Sequence, residues 1–224
     1  ASEDPTLPEA LAAAGVTFIG PAGGPMRALG DKIGSTIIAQ SANVPTVPWS
    51  GEGLSLAPEA TAKECCNIPA DLYARATCET VENTKRQAER IGFPVMIKAS
   101  EGGGGKGIRR VEKVEEIESA FRQVQGECPG SPIFLMQVAQ QARHLEVQLL
   151  ADMYGNAIAL SGRDCSVQRR HQKIIEEGPV LATSKSTWVE MMAAAVRLAK
   201  KVKYENAGTV EYLFSPAEKK FAFL

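Results

Sequence analysis

Residues 94–108 read Pro94-Val-Met-Ile-Lys98-Ala-Ser-Glu-Gly102-Gly-Gly-Gly-Lys106-Gly-Ile108. An apolar, strand-like stretch ends at Lys98 and is followed by backbone that carries almost no side chains. Glycine lets backbone amides approach a ligand closely and adopts φ angles that other residues avoid. Successive amides together with ammonium groups form a site for anions. The stretch therefore predicts a loop that covers the phosphates of a nucleoside triphosphate.

The type of glycine-rich loop follows from the residues after it. A Walker loop places Ser or Thr after its lysine, whereas Gly107 follows Lys106 here. The spacing of Gly102, Gly104 and Gly107 matches the dinucleotide motif, but that motif requires a helix directly after the loop, and residues 108–111 are strand-like. We therefore predict a strand–loop–strand flap over phosphates, as in protein kinases. The alternative is a surface turn without a ligand, which four consecutive glycines disfavour because they cost backbone entropy.

Composition and charge limit the class of protein. The chain has 224 residues, of which 44% are hydrophobic and 23% charged, with a net charge of −1. These values are typical of globular domains and favour neither nucleic-acid nor membrane partners. The 5 cysteines form no CxxC pair, which favours reduced thiols in the cytoplasm, with a plastid as the alternative location. No apolar run reaches the length of a membrane span, so we expect no membrane insertion.

The rest of the chain contains both helical and strand-like segments. Residues 44–58 are rich in Pro, Ser and Gly and predict a connection. Helices are predicted at 8–14, 26–42, 80–90 (capped by Thr80 and stopped by Gly92) and 187–201 (opened by a capping box of Thr187 and Glu190), and strands at 16–20, 133–138, 144–151, 157–161, 209–214 and 221–224.

A second group of polar residues could converge with the loop. Alternation in 144–150 puts His144, Glu146 and Gln148 on one face of a strand, with a solvent-wetted hairpin face as the alternative. Residues 163–173 carry four formal cations, and the acidic residues Glu176 and Glu177 follow the segment. As a nucleic-acid site this segment is weak because it is short and lacks interleaved aromatic residues. A loop that faces a polyanion, or a solvated charged loop, explains it better.

Glu211 is a lone carboxylate in the apolar strand 209–214. Burial of an unpaired carboxylate is costly, and a cation or Mg²⁺ bridging to phosphates would relieve that cost. Lys32 offers a further ammonium group in the helix after Gly30, although an exposed pair with Asp31 explains it equally well.

Five motifs occur in order along nearly the whole chain. They are Gly30-Asp-Lys32, Val95-Met-Ile-Lys98-Ala-Ser with the glycine run, Arg143-His144-Leu-Glu-Val-Gln, Arg163-Asp-Cys-Ser-Val-Gln-Arg-Arg-His-Gln-Lys173 and Gly208-Thr-Val-Glu211. Together they resemble the biotin carboxylase component of biotin-dependent carboxylases. The segment 47–51, the insert before Ile68 and Glu101 are similar to the multidomain eukaryotic acetyl-CoA carboxylases in particular. This resemblance implies the α+β ATP-grasp fold, in which two α+β regions hold ATP between them.

The resemblance assigns roles to individual residues. Lys32 and Lys98 would contact the ATP phosphates, Lys173 would hold bicarbonate, and Glu211 would bind Mg²⁺, or Mn²⁺ in its place. The flap would consist of Gly102, Gly103, Gly104, Gly105, Lys106 and Gly107, the hinge beside adenine would include Met136, and His144, Gln168 and His171 would face the nucleotide.

The implied reaction is attack of bicarbonate on the γ-phosphate to give carboxyphosphate, whose CO₂ then carboxylates biotin on a separate carrier domain. Implied partners are the biotin carrier and carboxyltransferase domains of the same enzyme, which would be a homo-oligomer in fatty acid synthesis. The alternatives are a propionyl-CoA, methylcrotonyl-CoA or pyruvate carboxylase, and a non-catalytic ATP-binding module.

The chain lacks an initiator Met and stops within an apparent strand at Leu224, so we expect it to be a piece of a longer protein. The family's catalytic arginine, second metal ligand and acid/base glutamate would lie beyond Leu224, and the chain alone is expected not to turn over ATP with free biotin. We predict the end of an N-terminal region at 1–58, a lid domain at 59–161, and the incomplete start of the C-terminal ATP-grasp region at 162–224.

Overall fold

Two antiparallel sheets organise the computed structural model of the chain, which describes residues 4–102, 105–169 and 172–224. The smaller sheet contains β1 (Val95–Ala99), β2 (Ile108–Val111) and β3 (Ile133–Gln137), and the larger contains β4 (Arg143–Ala151), β5 (Ala157–Arg169), β6 (Gln172–Glu177), β7 (Asn206–Ser215) and β8 (Lys220–Phe223). The strand orders are β2-β1-β3 and β6-β5-β4-β7-β8. Antiparallel sheets combined with helices that are grouped before, between and after the strands confirm the predicted α+β class.

The helices lie before, between and after these strands. A short 3₁₀ turn, Val114–Glu116, follows β2. The α-helices are α1 (Thr6–Ala13), α2 (Gly23–Gly30), α3 (Lys32–Ser41), α4 (Ala62–Cys65), α5 (Ala70–Ala76), α6 (Val81–Ile91), α7 (Ile117–Glu127) and α8 (Lys185–Lys201).

The smaller sheet has the strand–loop–strand arrangement expected for the glycine-rich segment. β1 and β2 pair antiparallel, with Lys98 opposite Ile108 at the end next to the loop. The following helix, α7, begins only at Ile117, after β2 and the 3₁₀ turn. Among the described residues, no helix follows this loop directly. The prediction that a strand follows it, unlike in a dinucleotide-binding motif, is therefore confirmed.

Helices α6 and α7 pack on one face of the smaller sheet. Thr80 caps α6 by accepting a hydrogen bond from Asn83 N at 3.1 Å, and Gly92, with φ of 88°, ends it, as predicted. The apolar side chains of α7 and of alternate β1 positions form one buried cluster that includes Phe121 and Ile97. The opposite face of β1 is left to line a cleft, because successive strand side chains point to opposite faces.

The larger sheet packs against α3 and α8. Ile33 and Ile37 of α3 and Met191 of α8 are fully buried. Tyr212 of β7 is also fully buried, and its hydroxyl donates to Met191 O at 3.1 Å. Burial of side chains of this size contributes roughly 1.5–3 kcal/mol each, so this interface is the main core of the chain.

Residues 45–50, predicted as part of a connection, tie the two sheets together. Pro48 O accepts from Gln137 N at 2.8 Å, and Ser50 N donates to Leu135 O at 2.9 Å, both on β3. Pro45 O accepts from Phe223 N of β8 at 2.7 Å. This segment therefore fixes how the edge of the smaller sheet faces the larger one.

The predicted strand at 16–20 is wrong. No described residue in this range belongs to a strand, Val16 is 51% exposed and Ile19 is 89% exposed. A strand needs a neighbour for its backbone hydrogen bonds, and the apolar pattern alone carries no information about whether one is present.

Two helix boundaries also differ from the prediction. The helix predicted at 26–42 is divided between α2 and α3 because Asp31 adopts extended angles and accepts from Gly34 N at 2.6 Å as an N-cap. Helix α8 is capped by Ser184, which accepts from Thr187 N at 3.2 Å, so the predicted cap at Thr187 is wrong.

The charged segment 163–173 is part of a hairpin and not an open loop. β5 runs to Arg169, and Gln168 on β5 pairs with Lys173 on β6. The predicted domain border at 161 falls inside β5, whereas the chain passes from the smaller to the larger sheet at 138–142. Pairing of β4 with β7 along its whole length, from Arg143 to Ala151, places β4 in the larger sheet.

Candidate active site

A cleft of about 660 Å³ lies between the two sheets and takes side chains from both. It is lined on one side by β1, β2 and β3 and on the other by β4, β5, β6 and β7. Its walls include the sequence-predicted site residues Lys98, Gly105, Met136, His144, Gln168, Lys173 and Glu211. Residues separated widely in sequence therefore meet at one place.

Lys98 is a cation with little solvation. Its Nζ lies 3.5 Å from Met136 Sδ and 5.9 Å from the centroid of the Phe134 ring. Among the described residues, no carboxylate pairs with it. Burial, and to a smaller extent the charge of Lys32, lowers the pKa of Lys98 to about 8. An anion bound in the cleft would supply the negative charge that no described carboxylate offers to this ammonium group.

The described part of the glycine-rich loop turns back toward β2. Gly105 and Gly107 have φ of 84° and 70°, which favours glycine, and a Cβ at Gly107 would lie 2.7 Å from Cys128 Sγ. The Gly107 amide donates to Glu127 Oε2 at 2.8 Å. Gly102 is buried and Lys106 is exposed, and the predicted flap residues Gly103 and Gly104 lie outside the described residues.

Lys32 holds the base of this loop. Its Nζ donates to Ser100 O at 2.7 Å and to Gly102 O at 2.6 Å. It is near enough to Lys98 to lower the pKa of that lysine, although it is not part of the cleft wall. Its phosphate contact remains a prediction.

Lys173 lies between two carboxylates. Its Nζ donates to Glu146 Oε2 at 2.7 Å and to Glu211 Oε1 at 2.6 Å. Although burial lowers the pKa of Lys173, its contacts with Glu146 and Glu211 raise it well above its usual value. Lys173 is therefore charged at neutral pH, and two carboxylates hold its ammonium group at the cleft wall.

Glu146 anchors this network from inside the sheet. Glu146 is 3% exposed, and its carboxylate also pairs with Arg163. Burial raises the pKa of Glu146, but hydrogen bonds and charges from Lys173 and Arg163 outweigh burial, so the pKa lies below its usual value. From the sequence, Glu146 was assigned to a polar face and given no role. Alternation of polar and apolar residues in this strand suggested a solvent-facing side chain and gave no signal of its burial.

Glu211 sits opposite Glu146 on the neighbouring strand, and Lys173 bridges the two like charges. The Glu211 side chain is 43% exposed at the cleft. Its Oε1 is bound to Lys173, and no described residue donates to its second oxygen. A carboxylate with one oxygen free at a cleft is a suitable ligand for Mg²⁺.

His144 and Gln168 supply neutral hydrogen-bonding groups to the cleft. Burial lowers the pKa of His144 below 6.5, outweighing the opposite effect of Glu211, so the imidazole is neutral at pH 7 and offers one donor and one acceptor. The Gln168 amide donates to Cys165 O at 3.1 Å. The third residue predicted to face the nucleotide, His171, lies outside the described residues.

The cleft has an apolar side around the predicted hinge. Met136 is buried and faces Met96 across the pairing of β1 and β3. Arg110 of β2, opposite Met96 on its other side, also lines the cleft. Arg110 was not predicted as a site residue, although strand alternation after the loop could have indicated it. This wall is suited to a flat apolar group beside the cationic residues.

None of the helices in 4–102, 105–169 and 172–224 combines the length and the apolar character that a membrane crossing requires.

Comparison with known proteins indicates the same family as the sequence motifs. The family described as "Carbamoyl-phosphate synthase L chain, ATP binding domain" matches residues 59–224. The acetyl-CoA carboxylase of Dictyostelium discoideum is 59% identical over 220 residues, which is 97% of this chain and 10% of that protein. The chain thus spans a small part of the length of the curated relatives it matches.

Two solved structures share the fold. The biotin carboxylase of Campylobacter jejuni, solved as a beta-gamma-ATP complex, superposes with a TM-score of 0.84 at 33% identity and covers 99% of this chain and 45% of its own. The biotin carboxylase domain of Hydrogenobacter thermophilus 2-oxoglutarate carboxylase, solved with MgADP, ADP and bicarbonate, gives 0.81 at 32% identity, with coverage of 99% and 44%.

The match over residues 59–224, the two superpositions and a cleft between two antiparallel sheets lead to one conclusion. The chain has the ATP-grasp fold and belongs to the carbamoyl-phosphate synthase L chain ATP-binding domain family, within which its resemblance to the biotin carboxylase module of multidomain acetyl-CoA carboxylases is confirmed.

Proposed function

We propose that this chain forms the ATP- and bicarbonate-binding part of a biotin carboxylase module in an acetyl-CoA carboxylase. The observation that supports this most is the meeting of Lys98, from the smaller sheet, and Lys173, from the larger, in one cleft beside the glycine-rich loop. The two ammonium groups, with the loop residue Gly105 in the same cleft wall, are suited to bind a triphosphate next to a second small anion.

Lys98 binds and orients the phosphates in this proposal. It has no carboxylate to displace among the described residues, so phosphate oxygens gain its full charge. Lys32 holds the base of the loop through Ser100 O and Gly102 O, which keeps the loop amides near the phosphates. The apolar wall around Met136 accommodates the adenine ring.

Lys173 binds bicarbonate beside the γ-phosphate. Glu146 fixes its ammonium group from the buried side, so one N–H direction remains for a substrate oxygen once the exposed Glu211 moves away. Bicarbonate oxygen then attacks the γ-phosphorus, the bond to the β-phosphate oxygen breaks, and carboxyphosphate and ADP result. Loss of CO₂ from carboxyphosphate leaves inorganic phosphate, and the CO₂ forms a bond to a ring nitrogen of biotin, whose proton passes to the released phosphate. The protein contributes mainly by aligning anions and offsetting their charge.

Glu211 is the described residue suited to hold the divalent cation of this reaction, through the oxygen that no described residue contacts. Mg²⁺, or Mn²⁺ in its place, supplies charge neutralisation at the phosphates when bound. Movement of Glu211 from Lys173 toward the cation would free Lys173 for bicarbonate.

The proposal extends to the further components that the sequence resemblance implies. Biotin is presented on a carrier domain, and a carboxyltransferase domain of the same homo-oligomeric enzyme receives the carboxyl group for fatty acid synthesis. The location consistent with this role is the cytoplasm or a plastid.

A segment exchange tests the proposal. This chain replaces the corresponding segment of the Dictyostelium discoideum acetyl-CoA carboxylase, and bicarbonate-dependent ADP formation and biotin carboxylation are measured. We expect both activities to be retained, with Lys98→Ala raising the KM for ATP and Lys173→Ala raising the KM for bicarbonate. A folded exchange enzyme that binds MgATP but carboxylates no biotin would show that the chain is a non-catalytic nucleotide-binding module.

A further inference from the structure

A partly buried hydrogen-bond junction joins three segments at the base of the glycine-rich loop. The Asp31 Oδ2 atom accepts from Tyr73 OH at 2.8 Å and from Ser100 Oγ at 2.9 Å. Its Oδ1 atom accepts from Gly34 N at 2.6 Å, at the start of α3. The carboxylate therefore links α3, helix α5 and the end of the β1 strand.

Ser100 is held from several directions at this junction. It is 2% exposed, its amide donates to Pro132 O at 2.8 Å, and its carbonyl accepts from Lys32 Nζ at 2.7 Å. Asp31 and Lys32 are adjacent, so the side chain and the carbonyl of Ser100 are both tied to the start of α3. Because Ser100 lies between Lys98 and Gly102, its position sets where the strand ends and the loop begins.

Tyr73 is the contribution of α5 to this junction. Burial is the main reason that the pKa of Tyr73 lies above its usual value, so its hydroxyl remains a donor at neutral pH. A carboxylate that accepts two hydroxyl donors and an amide is confined to one rotamer, since each donor restricts its rotation. Without the Tyr73 donor, the Asp31 side chain is held by one fewer hydrogen bond. The acceptor of the Ser100 hydroxyl is then less firmly positioned.

We infer that Tyr73 is a positioning residue for the phosphate-binding loop: its hydroxyl fixes the Asp31 carboxylate, which holds Ser100 and the loop base in place before the nucleotide binds. This inference rests on the proposed function, because its consequence is measured as nucleotide affinity. Tyr73 itself does not line the cleft that holds Lys98 and Lys173.

The test uses Tyr73→Phe, which removes only the hydroxyl. The matched control is Tyr204→Phe. This change removes a hydroxyl that lies away from the loop and donates to Ala207 O at a distance of 3.3 Å. Isothermal titration measures MgATP affinity, and hydrogen exchange by NMR measures the Ser100 and Gly102 amides without nucleotide. We expect Tyr73→Phe to bind MgATP about fivefold more weakly, which corresponds to loss of one ordinary hydrogen bond.

The exchange data separate positioning from a general loss of stability. Faster exchange confined to Ser100 and Gly102, with an unchanged Tyr212 amide in the main core, is the expected result. In a double-mutant cycle, Tyr73→Phe and Ser100→Ala should be non-additive, because both donors act through the same carboxylate.

The outcomes also separate this inference from the proposed function. If the unmodified chain fails to bind MgATP, the proposed function and the inference both fail. If the unmodified chain binds and Tyr73→Phe binds equally tightly, with unchanged exchange at Ser100 and Gly102, the inference alone is overturned.

Discussion

Lys98 and Lys173 line the same cleft from different sheets, but their electrostatic surroundings are opposite. Lys173 donates to two carboxylates, whereas no described carboxylate pairs with Lys98. The pKa of Lys98 is accordingly lowered and that of Lys173 raised. The two lysines should therefore respond differently to substitution, pH and ligands.

Replacing Lys98 with Met should separate binding from stability. We expect MgATP affinity to fall about 30-fold, as for loss of a charge-assisted hydrogen bond, because Met offers no donor to a phosphate oxygen. The thermal midpoint should stay the same or rise, since the substitution removes a poorly solvated charge. Calorimetric titration and thermal unfolding measure the two effects, with the exposed Lys63→Met as the control. Equal affinity of Lys98→Met and the unmodified chain would contradict the role of Lys98.

The lowered pKa of Lys98 also predicts a pH dependence. The folded chain releases this proton near pH 8 and the unfolded chain near 10.5, so the unfolded chain binds more protons between these values. Stability should therefore rise with pH across this window relative to Lys98→Met. Nucleotide binding restores the charge, so titration near pH 9 in buffers of different ionisation enthalpy should show proton uptake. Lys98→Met should show none.

Glu146→Gln tests the buried anchor of Lys173. We expect the free energy of unfolding to fall by about 2 kcal/mol at pH 7. This loss is smaller than for a fully buried pair because Lys173 and Arg163 are partly exposed. Since the pKa of Glu146 is depressed, its stabilisation is present above the usual 4.5 and is lost as pH falls below it. Urea unfolding at pH 7 and pH 4 measures the difference. A loss of the same size at both pH values would show that charge is not the cause, and the exposed Glu118→Gln should change stability by less than about 0.5 kcal/mol.

Glu211→Gln should change the affinity for ATP in opposite directions with and without Mg²⁺. Without the metal, ATP should bind as well or more tightly, because Lys173 loses a competing carboxylate. With Mg²⁺, the gain in affinity that the metal provides should largely disappear. Titrations in Mg²⁺ and in EDTA give both values, and the exposed Glu218→Gln is the control. An unchanged Mg²⁺ effect would remove Glu211 from the metal site.

Gly107→Ala should weaken the loop scaffold. The φ of 70° and the distance of only 2.7 Å that would separate an added Cβ from Cys128 Sγ both oppose a side chain here. We expect a destabilisation of about 2 kcal/mol in urea unfolding. The control is Gly126→Ala in α7, where a Cβ meets nothing within 4 Å and helix propensity should add about 0.5–1 kcal/mol. Similar behaviour of the two variants would contradict the conformational requirement at Gly107.

Local sequence signals were sufficient for the elements that local chemistry determines. The glycine run between strand-like residues correctly predicted the β1–loop–β2 arrangement, and Thr80 with Gly92 correctly bounded α6. The apolar run at 16–20 shows the limit of such signals, because a strand forms only where a neighbouring strand is available.

The sequence predicted those site residues whose charged side chains interrupt an otherwise apolar strand. Lys98 and Glu211 interrupt apolar strands and both line the cleft. Glu146 was missed because alternation suggested a solvent-facing side chain, whereas Lys173 and Arg163 allow it to be buried. The contact of Tyr73 with Asp31 joins distant segments, and no periodicity in the sequence indicates it.

A crystal structure of the chain with Mg²⁺ and a non-hydrolysable ATP analogue tests the role of the cleft most directly. We expect phosphate oxygens about 2.8 Å from Lys98 Nζ, beneath the glycine-rich loop, with the adenine ring against Met136. An analogue bound elsewhere, or Lys98 Nζ without a phosphate oxygen within hydrogen-bonding distance, would contradict nucleotide binding in this cleft.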